Sequence, residues 1–186
     1  MSHKSEDMSG DILKVLLTEQ QLKDKVNEMG AAIARDYAGR RPMFLGVLKG
    51  CFVFMADLVR AADIRCDLDF MCVSSYGAGT TSSGVVKINL DLRGDIDGRD
   101  IIVVEDILDS GRTLSYLRSY LQGKGAASIA IATLLDKPDR RVADVKADYF
   151  GFVVPDEFVV GYGLDYAEEY RNLPYIGVLK PEVYTS

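Results

Sequence analysis

The fold of this chain is decided by the stretch IIVVEDILDSGRT at residues 101–113. Its four β-branched residues predict a strand that is buried on both faces, which is typical of a parallel sheet. Polar residues and a glycine follow, and from Thr113 the chain resumes a helical pattern. Ligands of open α/β sheets collect at the carboxyl ends of the strands, so this unit predicts a binding site at its turn.

Two adjacent carboxylates, Glu105 and Asp106, stand where the strand is expected to end. Side chains alternate along a strand, so the two acids diverge unless the backbone turns there. Each carboxylate can accept a hydrogen bond from a hydroxyl group or from a metal-bound water. We therefore predict that the pair faces a vicinal diol together with Mg²⁺, an ion that prefers oxygen ligands and keeps several waters.

The turn itself, DSGRT at residues 109–113, predicts a phosphate site. Backbone N–H groups converge at a helix N-terminus and attract anions. Ser110 and Thr113 add hydroxyl donors, and Gly111 allows a ligand to approach the backbone closely. The simpler alternative is that Asp109 or Ser110 only caps the helix, which is a common role of both residue types.

Short apolar runs alternate with helical stretches on both sides of this unit, which predicts a mostly parallel sheet covered by helices. The strand-like runs cover residues 43–48, 68–73, 101–105 and 129–135, and the helices cover 18–37, 52–62 and 113–121. Thr18 and Gln21 form a capping box at the start of the first helix. Two later runs, 149–154 and 158–162, have no helix between them, so the C-terminal part leaves the pattern and could form a flap over the sheet edge.

Length and composition indicate one domain over residues 1–186, because 186 residues with 48% hydrophobic content can bury one core. The formal net charge of -6 and the lack of a Lys/Arg run argue against nucleic acid or an anionic membrane as the main partner. No stretch approaches the roughly 20 apolar residues that span a bilayer, and the first ten residues lack a signal-like apolar core. We expect a soluble, cytoplasmic protein.

Scarce residue types exclude several mechanisms. His3 is the single histidine of the sequence, so neither a Ser-His-Asp or Cys-His mechanism nor a His-ligated zinc site has the residues it needs. Cys51, Cys66 and Cys72 are odd in number and form no CxxC pair, which favours reduced, buried thiols over a nucleophilic cysteine. No GxxxxGK[ST] motif follows a predicted strand, so a P-loop hydrolase is excluded.

One segment is built from small, flexible residues around a single aromatic. It is SSYGAGTTSSG at residues 74–84, with Tyr76 as the aromatic. Two interpretations stay open from composition alone: a flexible connection between two strands, or a lid that closes on substrate.

The run VVEDILDSGRT at residues 103–113 resembles the phosphoribosyl-pyrophosphate-binding signature of the type I phosphoribosyltransferases. Four further motifs are similar to those of the hypoxanthine-guanine enzymes in that family: LKG at 48–50, SYG at 75–77, LDKP at 135–138 and PDEFVVGYGLDYAEEYR at 155–171. They occur in the family's order and span most of the chain. The last of them is highly specific.

The resemblance implies a role for each matching residue. Glu105 and Asp106 face the ribose hydroxyls and Mg²⁺, and Asp109, Ser110, Gly111, Arg112 and Thr113 hold the 5′-phosphate. Asp109 also serves as general acid/base near N7 of the purine. Lys49 and Gly50, after an unusual cis peptide, bind pyrophosphate with Arg171. Lys137, Phe158, Val159 and Asp165 surround the purine, with Asp165 a further Mg²⁺ ligand, and Ser75 and Tyr76 belong to the lid. An ammonium group only donates hydrogen bonds, so Lys137 favours a 6-oxopurine over adenine.

The resemblance also implies the fold and the partners. We expect a type I phosphoribosyltransferase fold, in which a mostly parallel five-stranded sheet is flanked by helices. A small C-terminal hood would come mainly from about residue 155 to 186, and a flexible lid loop from about 74 to 84. Expected partners are phosphoribosyl pyrophosphate, a 6-oxopurine, the products IMP or GMP, and pyrophosphate. Mg²⁺ is the expected cofactor, and a homodimer or homotetramer the expected assembly.

Two alternatives remain. A related transferase could prefer xanthine or guanine, since Lys137 suits any 6-oxopurine and only contacts near Val159 and Asp165 could read the 2-position. A regulatory protein could keep the phosphoribosyl site to sense nucleotides while binding DNA or RNA. The second is disfavoured, because the sequence has neither an added helix-turn-helix nor a basic stripe.

Overall fold

The computed structural model describes residues 8–75 and 86–185. Within them the chain forms nine β-strands and four α-helices. The strands are β1 (Ile12–Leu17), β2 (Met43–Leu48), β3 (Asp67–Ser75), β4 (Val86–Leu90), β5 (Asp100–Leu108), β6 (Ser128–Asp136), β7 (Tyr149–Val153), β8 (Val159–Val160) and β9 (Ile176–Leu179). The helices are α1 (Glu19–Asp36), α2 (Phe52–Ala62), α3 (Arg112–Gly123) and the short α4 (Pro181–Tyr184).

The central sheet has the strand order β4-β3-β2-β5-β6-β7. Five of these strands, β3, β2, β5, β6 and β7, run parallel, and β4 pairs antiparallel to β3 at the edge. The prediction of five strands therefore holds for the parallel part, and the antiparallel strand β4 adds a sixth. Strand β4 was missed, although its sequence VKINL alternates between apolar and polar residues, as a half-buried strand does.

Both faces of β5 are covered, as its β-branched sequence predicts. Ile102 and Val104 pack into the core that lies under α1 and α2, while Ile101 and Val103 pack into the core under α3. Helix α1 begins at the predicted capping box, in which Thr18 accepts from the Gln21 N–H and Gln21 accepts from the Thr18 N–H.

A second, three-stranded antiparallel sheet of order β1-β9-β8 forms the hood, by which we mean β1 together with residues 155–185. The prediction assigned the hood mainly to residues 155–186, and the structure adds β1 from the N-terminal part of the chain. Of the predicted run 158–162, only Val159 and Val160 pair as a strand. The next three residues leave the strand because each has a positive φ angle.

The predicted end of β5 needs correction, and most of the predicted lid lies outside the described residues. Strand β5 does not end at Glu105 but continues to Leu108, because pairing with β6 persists to Asp136. The predicted lid, from about residue 74 to 84, overlaps the end of β3: Ser75 is the last residue of that strand, and Tyr76 lies outside the described residues.

No helix in the described part of the chain is long and apolar enough to cross a membrane.

Candidate active site

The turn after β5 is open to a small anionic ligand. Gly111, with φ at +79°, occupies the N-cap of α3 and has no side chain that could cap this helix. Ser110 Oγ accepts a long 3.4 Å bond from the Arg112 N–H, so the alternative that Asp109 or Ser110 serves as a helix cap stays open for Ser110. The N-terminus of a helix favours negative charge, because its first N–H groups have no partner within the helix.

A cavity of about 80 Å³ lies at this turn. Residues of the β5 end and the start of α3 line it: Glu105, Ile107, Leu108, Asp109, Ser110, Gly111, Thr113 and Leu114. One water occupies about 30 Å³ in the liquid, so the space admits a compact group such as a phosphate. The cavity thus joins Glu105 to four of the five predicted phosphate-loop residues.

The acid pair lies inside β5 at a place where the strand bends. Ile107 packs against the same core as Val104, three residues earlier, so the alternation of side chains is interrupted between them. The Asp106 carboxylate accepts a 2.9 Å bond from the Ile107 N–H, which helps to hold the bend. Asp106 lies against Gly50, and Glu105 lines the cavity at the turn, so the two acids contact neighbouring parts of the candidate site.

Burial raises the pKa of both acids. The pKa of Asp106 rises to about 6, and that of Glu105 rises well above its ordinary range because of burial and of the neighbouring Asp106 charge. Glu105 Oε2 is buried with no hydrogen-bond partner among the described residues. A buried carboxylate without partners is costly, so the pair is chemically suited to a cation and to hydroxyl donors.

Magnesium fits this donor set only with help from a ligand. Among the described residues, no group of three or more His, Cys, Asp or Glu side chains could hold a metal ion alone. Mg²⁺ commonly binds through one or two carboxylates, with waters and substrate oxygens completing its shell. Glu105 and Asp106 agree with that pattern, and Asp165 is near enough to raise the pKa of Asp106.

The loop before α2 lies against Asp106. The peptide bond between Leu48 and Lys49 is cis, as the resemblance implies. A Cβ atom placed on Gly50 would lie 1.7 Å from Asp106 Oδ2, so the loop and the carboxylate can meet only at a glycine. Lys49 Nζ lies 2.9 Å from Glu168 Oε2, and both of these side chains are exposed.

Arg171 binds other residues of the hood beside this loop. It donates a 2.8 Å bond to the Gly163 carbonyl and pairs with Asp165 at 2.9 Å. Its charge also opposes the increase in the pKa of Asp106, so the two groups are near each other. Gly163 in turn packs on Gly50, because a Cβ atom there would lie 2.2 Å from the Gly50 carbonyl oxygen.

Lys137 is a buried cation at the end of β6, with only 6% of its surface exposed. Its ammonium donates a 2.7 Å bond to the Glu157 carbonyl and lies 3.8 Å from Asp156. Val159 is buried, whereas Phe158 is 39% exposed. The Phe158 ring stacks on Tyr184 of α4 at 4.8 Å and meets Tyr166 edge to face.

Asp109 lies between the turn and the segment after β6. Its Oδ1 is 3.3 Å from Arg140 Nε but makes no hydrogen bond within the described structure. Cys51, beside the acid pair, is fully buried, and burial together with Glu105 and Asp106 raises the pKa of its thiol. A protonated, buried thiol agrees with the prediction of inert cysteines.

Arg141 is a site residue that sequence reasoning missed. Its guanidinium donates to the carbonyls of Leu108, Asp109 and Val145, at 3.2, 2.9 and 2.7 Å, and it pairs with Asp136. These bonds hold the phosphate turn from behind. The two consecutive arginines, shortly after the Lys137-Pro138 dipeptide, were the available signal, but nothing in the sequence indicates which main-chain groups they bind.

Comparison with known proteins gives a consistent result. The phosphoribosyl transferase domain family matches residues 13–167. The chain is 58% identical to the hypoxanthine-guanine phosphoribosyltransferase of Bacillus subtilis (strain 168) over 179 residues, which cover 96% of this chain and 99% of that protein. It is 56% identical over 181 residues to the bifunctional protein TilS/HprT of Listeria monocytogenes, covering 97% of this chain but only 28% of that longer relative.

Solved structures agree with the sequence relatives. A hypoxanthine phosphoribosyltransferase from Staphylococcus aureus superposes with a TM-score of 0.94 at 49% identity, covering 98% of this chain and all of the other. A hypoxanthine-guanine phosphoribosyltransferase from Bacillus anthracis gives a TM-score of 0.87 at 46% identity, covering 91% of this chain and 99% of its own.

Proposed function

The chain belongs to the phosphoribosyltransferase family, among its hypoxanthine-guanine members, and from this premise we propose that it transfers a 5-phosphoribosyl group to a purine. The donor is phosphoribosyl pyrophosphate, and the acceptor is N9 of hypoxanthine or guanine. The products are IMP or GMP and pyrophosphate, which makes the reaction one of purine salvage. The cytoplasmic location and the homodimer or homotetramer expected from the sequence stay predictions.

One observation carries this proposal. The acid pair and the phosphate turn lie in one segment, β5 to α3, and Glu105 of the pair lines the small cavity at the turn. Lys137 emerges at the end of the neighbouring strand β6. A phosphate site, a diol-binding acid pair and a buried cation on adjacent strand ends match the three parts of a purine nucleotide: phosphate, ribose and base.

Asp109 is the proposed general acid/base. Its carboxylate follows the strand end, and its Oδ1 keeps a free hydrogen-bonding capacity within the described structure. As the bond between N9 and C1′ forms, Asp109 exchanges a proton with N7 of the purine. Arg140 Nε lies 3.3 Å from this carboxylate.

The remaining residues stabilise developing charge and exclude water. Ribose transfer passes through an oxocarbenium-like state, in which ionised Glu105 and Asp106 lie beside positive charge. Lys49, Gly50 and Arg171 bind the pyrophosphate, and the segment from Ser75 closes over the site as a lid. Glu105 and Asp106, with Asp165, would hold Mg²⁺. Once bound, the ion offsets the charge of the departing pyrophosphate.

Selection of the base rests on Lys137, Phe158 and Val159. The Lys137 ammonium donates to the 6-oxo group, which adenine lacks. Phe158 stacks on the purine ring, and the backbone of Val159 contacts its edge. The contacts of Val159 and Asp165 with the 2-position set the preference among hypoxanthine, guanine and xanthine.

The decisive experiment is a panel of bases with phosphoribosyl pyrophosphate, read as nucleotide formed. Hypoxanthine and guanine are expected to react, adenine is expected not to, and chelation of Mg²⁺ is expected to abolish turnover. Xanthine as the best substrate would replace the proposed specificity by that of a xanthine-preferring transferase. A lack of product with every base would reject the proposed activity.

A further inference from the structure

Four tyrosine hydroxyls in the described chain donate to aspartate carboxylates, and three of these bonds join residues more than a hundred positions apart. These three are Tyr162 to Asp57 at 2.5 Å, Tyr149 to Asp36 at 2.9 Å, and Tyr170 to Asp11 at 2.8 Å. The first of these bonds joins the hood to α2, the helix that begins directly after the Lys49-Gly50 loop. This bond can therefore fix the position of the hood relative to α2 on the pyrophosphate side of the site.

Tyr162 has an unusual backbone conformation. Its φ angle is +53°, between Gly161 at +99° and Gly163 at +104°. A bulky residue in the left-handed region persists only where surrounding contacts hold it. Here the side chain supplies such a contact through Asp57, and the Tyr162 N–H donates a 2.9 Å bond to the Leu173 carbonyl.

The tyrosine is buried and its hydroxyl stays protonated. Tyr162 is 7% exposed, and burial together with the Asp57 charge raises the pKa of its hydroxyl well above the ordinary range. The Asp57 carboxylate is oriented by its pairing with Arg60 on the same helix. The contact is a charge-assisted hydrogen bond in a partly buried place, a type that is stronger than a neutral one.

The residue after Tyr162 touches the site directly. Gly163 packs on the Gly50 carbonyl, and its own carbonyl accepts from Arg171, which pairs with Asp165. A change in the position of Tyr162 would therefore move Gly163, and with it two side chains on the pyrophosphate side. Lys137 extends from the core sheet and contacts the hood at Asp156 and Glu157, which precede β8, whereas Gly163 and Arg171 follow β8.

We propose that the Tyr162–Asp57 hydrogen bond is a positioning contact that holds Gly163, Asp165 and Arg171 against Gly50. The inference rests on the proposed function and extends it, because neither residue touches a substrate. It assigns Tyr162 and Asp57 to the use of phosphoribosyl pyrophosphate and not to the binding of hypoxanthine, which has no 2-substituent for Asp165 to contact.

The test compares variants of the full chain by steady-state kinetics. Tyr162→Phe removes only the hydroxyl and is expected to reduce kcat/KM for phosphoribosyl pyrophosphate by about tenfold, the lower end for a bond to a charged group. The KM for hypoxanthine is expected to stay within about twofold, because Lys137 is not displaced. Asp57→Ala is expected to act like Tyr162→Phe, and the double variant to lose little more. Asp57→Asn keeps an accepting oxygen and is expected to recover much of the activity.

Tyr149→Phe is the matched control, since it removes the same kind of bond between α1 and β7, away from the site. It is expected to leave both KM values unchanged even if the melting temperature falls. Equal effects of Tyr162→Phe and Tyr149→Phe on kinetics, or an equal effect of Tyr162→Phe on both substrates, would overturn the inference.

Hydrogen exchange separates this inference from the proposed function. Amides of residues 161–173 are expected to exchange faster in Tyr162→Phe than in wild-type protein, and to be unchanged in Tyr149→Phe. Unchanged exchange in Tyr162→Phe would overturn the positioning role. Wild-type protein that forms no nucleotide would reject the proposed function. The exchange comparison would still decide whether the Tyr162–Asp57 hydrogen bond holds residues 161–173 in place.

Discussion

The two sides of the site differ in how their polar groups are satisfied. On the phosphate side, at the end of β5, Glu105 Oε2 and Asp109 Oδ1 lack hydrogen-bond partners within the described residues. On the pyrophosphate and base side, both lysines bond to other residues of the chain: Lys49 to Glu168, and Lys137 to the Glu157 carbonyl, although Arg171 Nε and Glu157 Oε2 lack partners there as well. Glu105 thus has an oxygen that is open to a ligand, whereas Lys49 and Lys137 must exchange internal partners for substrate.

This difference predicts where substitutions act on chemistry and where they act on affinity. Groups without partners gain their interactions from the ligand, so their loss should appear in turnover or in the pH dependence of stability. Groups that already have partners contribute to binding only the difference in free energy between their internal bonds and their bonds to the ligand. Substitution of such a group should therefore cause a smaller change, in affinity or selectivity.

The largest effect is expected for Asp109→Asn. Loss of a general acid/base group typically reduces the rate by roughly 10² to 10⁴, so kcat should fall within this range. The affinity for phosphoribosyl pyrophosphate, measured by calorimetric titration, should change far less, because the amide preserves the shape of the turn. Asp139→Asn, an exposed neighbour in sequence after β6, is the control. Unchanged turnover in Asp109→Asn would remove this residue from the proposed role.

Asp106→Asn is expected to stabilise the ligand-free protein at neutral pH. The folded pKa of Asp106, about 6, lies above its ordinary value of 3.8. The protonated side chain of Asp106 therefore contributes to stability below about pH 4, and this contribution is lost as the pH rises past 6. The loss in the free energy of unfolding is about 3 kcal/mol in total. Denaturant unfolding from pH 4.5 to 7.5 should show that the free energy of unfolding of the variant, relative to that of the wild type, increases with pH. A constant difference between the two would contradict the burial argument.

Lys137→Gln is expected to relax the selectivity for a 6-oxo over a 6-amino base. A glutamine amide can donate and accept, so the discrimination against adenine should fall by about tenfold, which corresponds to one hydrogen bond of ordinary strength. The ratio of kcat/KM for hypoxanthine and adenine measures it, with Lys146→Gln, an exposed lysine before β7, as the control. An unaltered ratio would show that Lys137 does not read the base.

The smallest effect is expected for Glu168→Gln. Its pair with Lys49 is exposed, and such pairs contribute roughly 0 to 1 kcal/mol, so the melting temperature should barely change. Removing the charge frees Lys49, so affinity for pyrophosphate should rise about two- to fivefold by calorimetric titration. Glu169→Gln, one residue further on, is the control. A weaker affinity in Glu168→Gln would mean that Glu168 orients Lys49 instead of occupying it.

Local sequence determined the parallel strands, helix α1 with its capping box, and the phosphate turn at residues 109–113. Each depends on neighbours in the chain: β-branched runs, a Thr-Gln pair at helix spacing, and a glycine at the start of α3. The position of the acid pair was recognised, but the end of its strand was wrong, because pairing with β6 extends β5 by three residues beyond Glu105.

Only tertiary structure decided the contacts between distant segments. Strand β1 joins a hood otherwise built from the C-terminal part, Gly50 fits between Asp106 and Gly163, and Arg141 holds the phosphate turn from behind. Tyr162 finds Asp57 more than a hundred residues away. The reason is physical: hydrogen-bond periodicity and turn chemistry act over a few residues and can be read from sequence, whereas close packing depends on which surfaces the completed fold brings together.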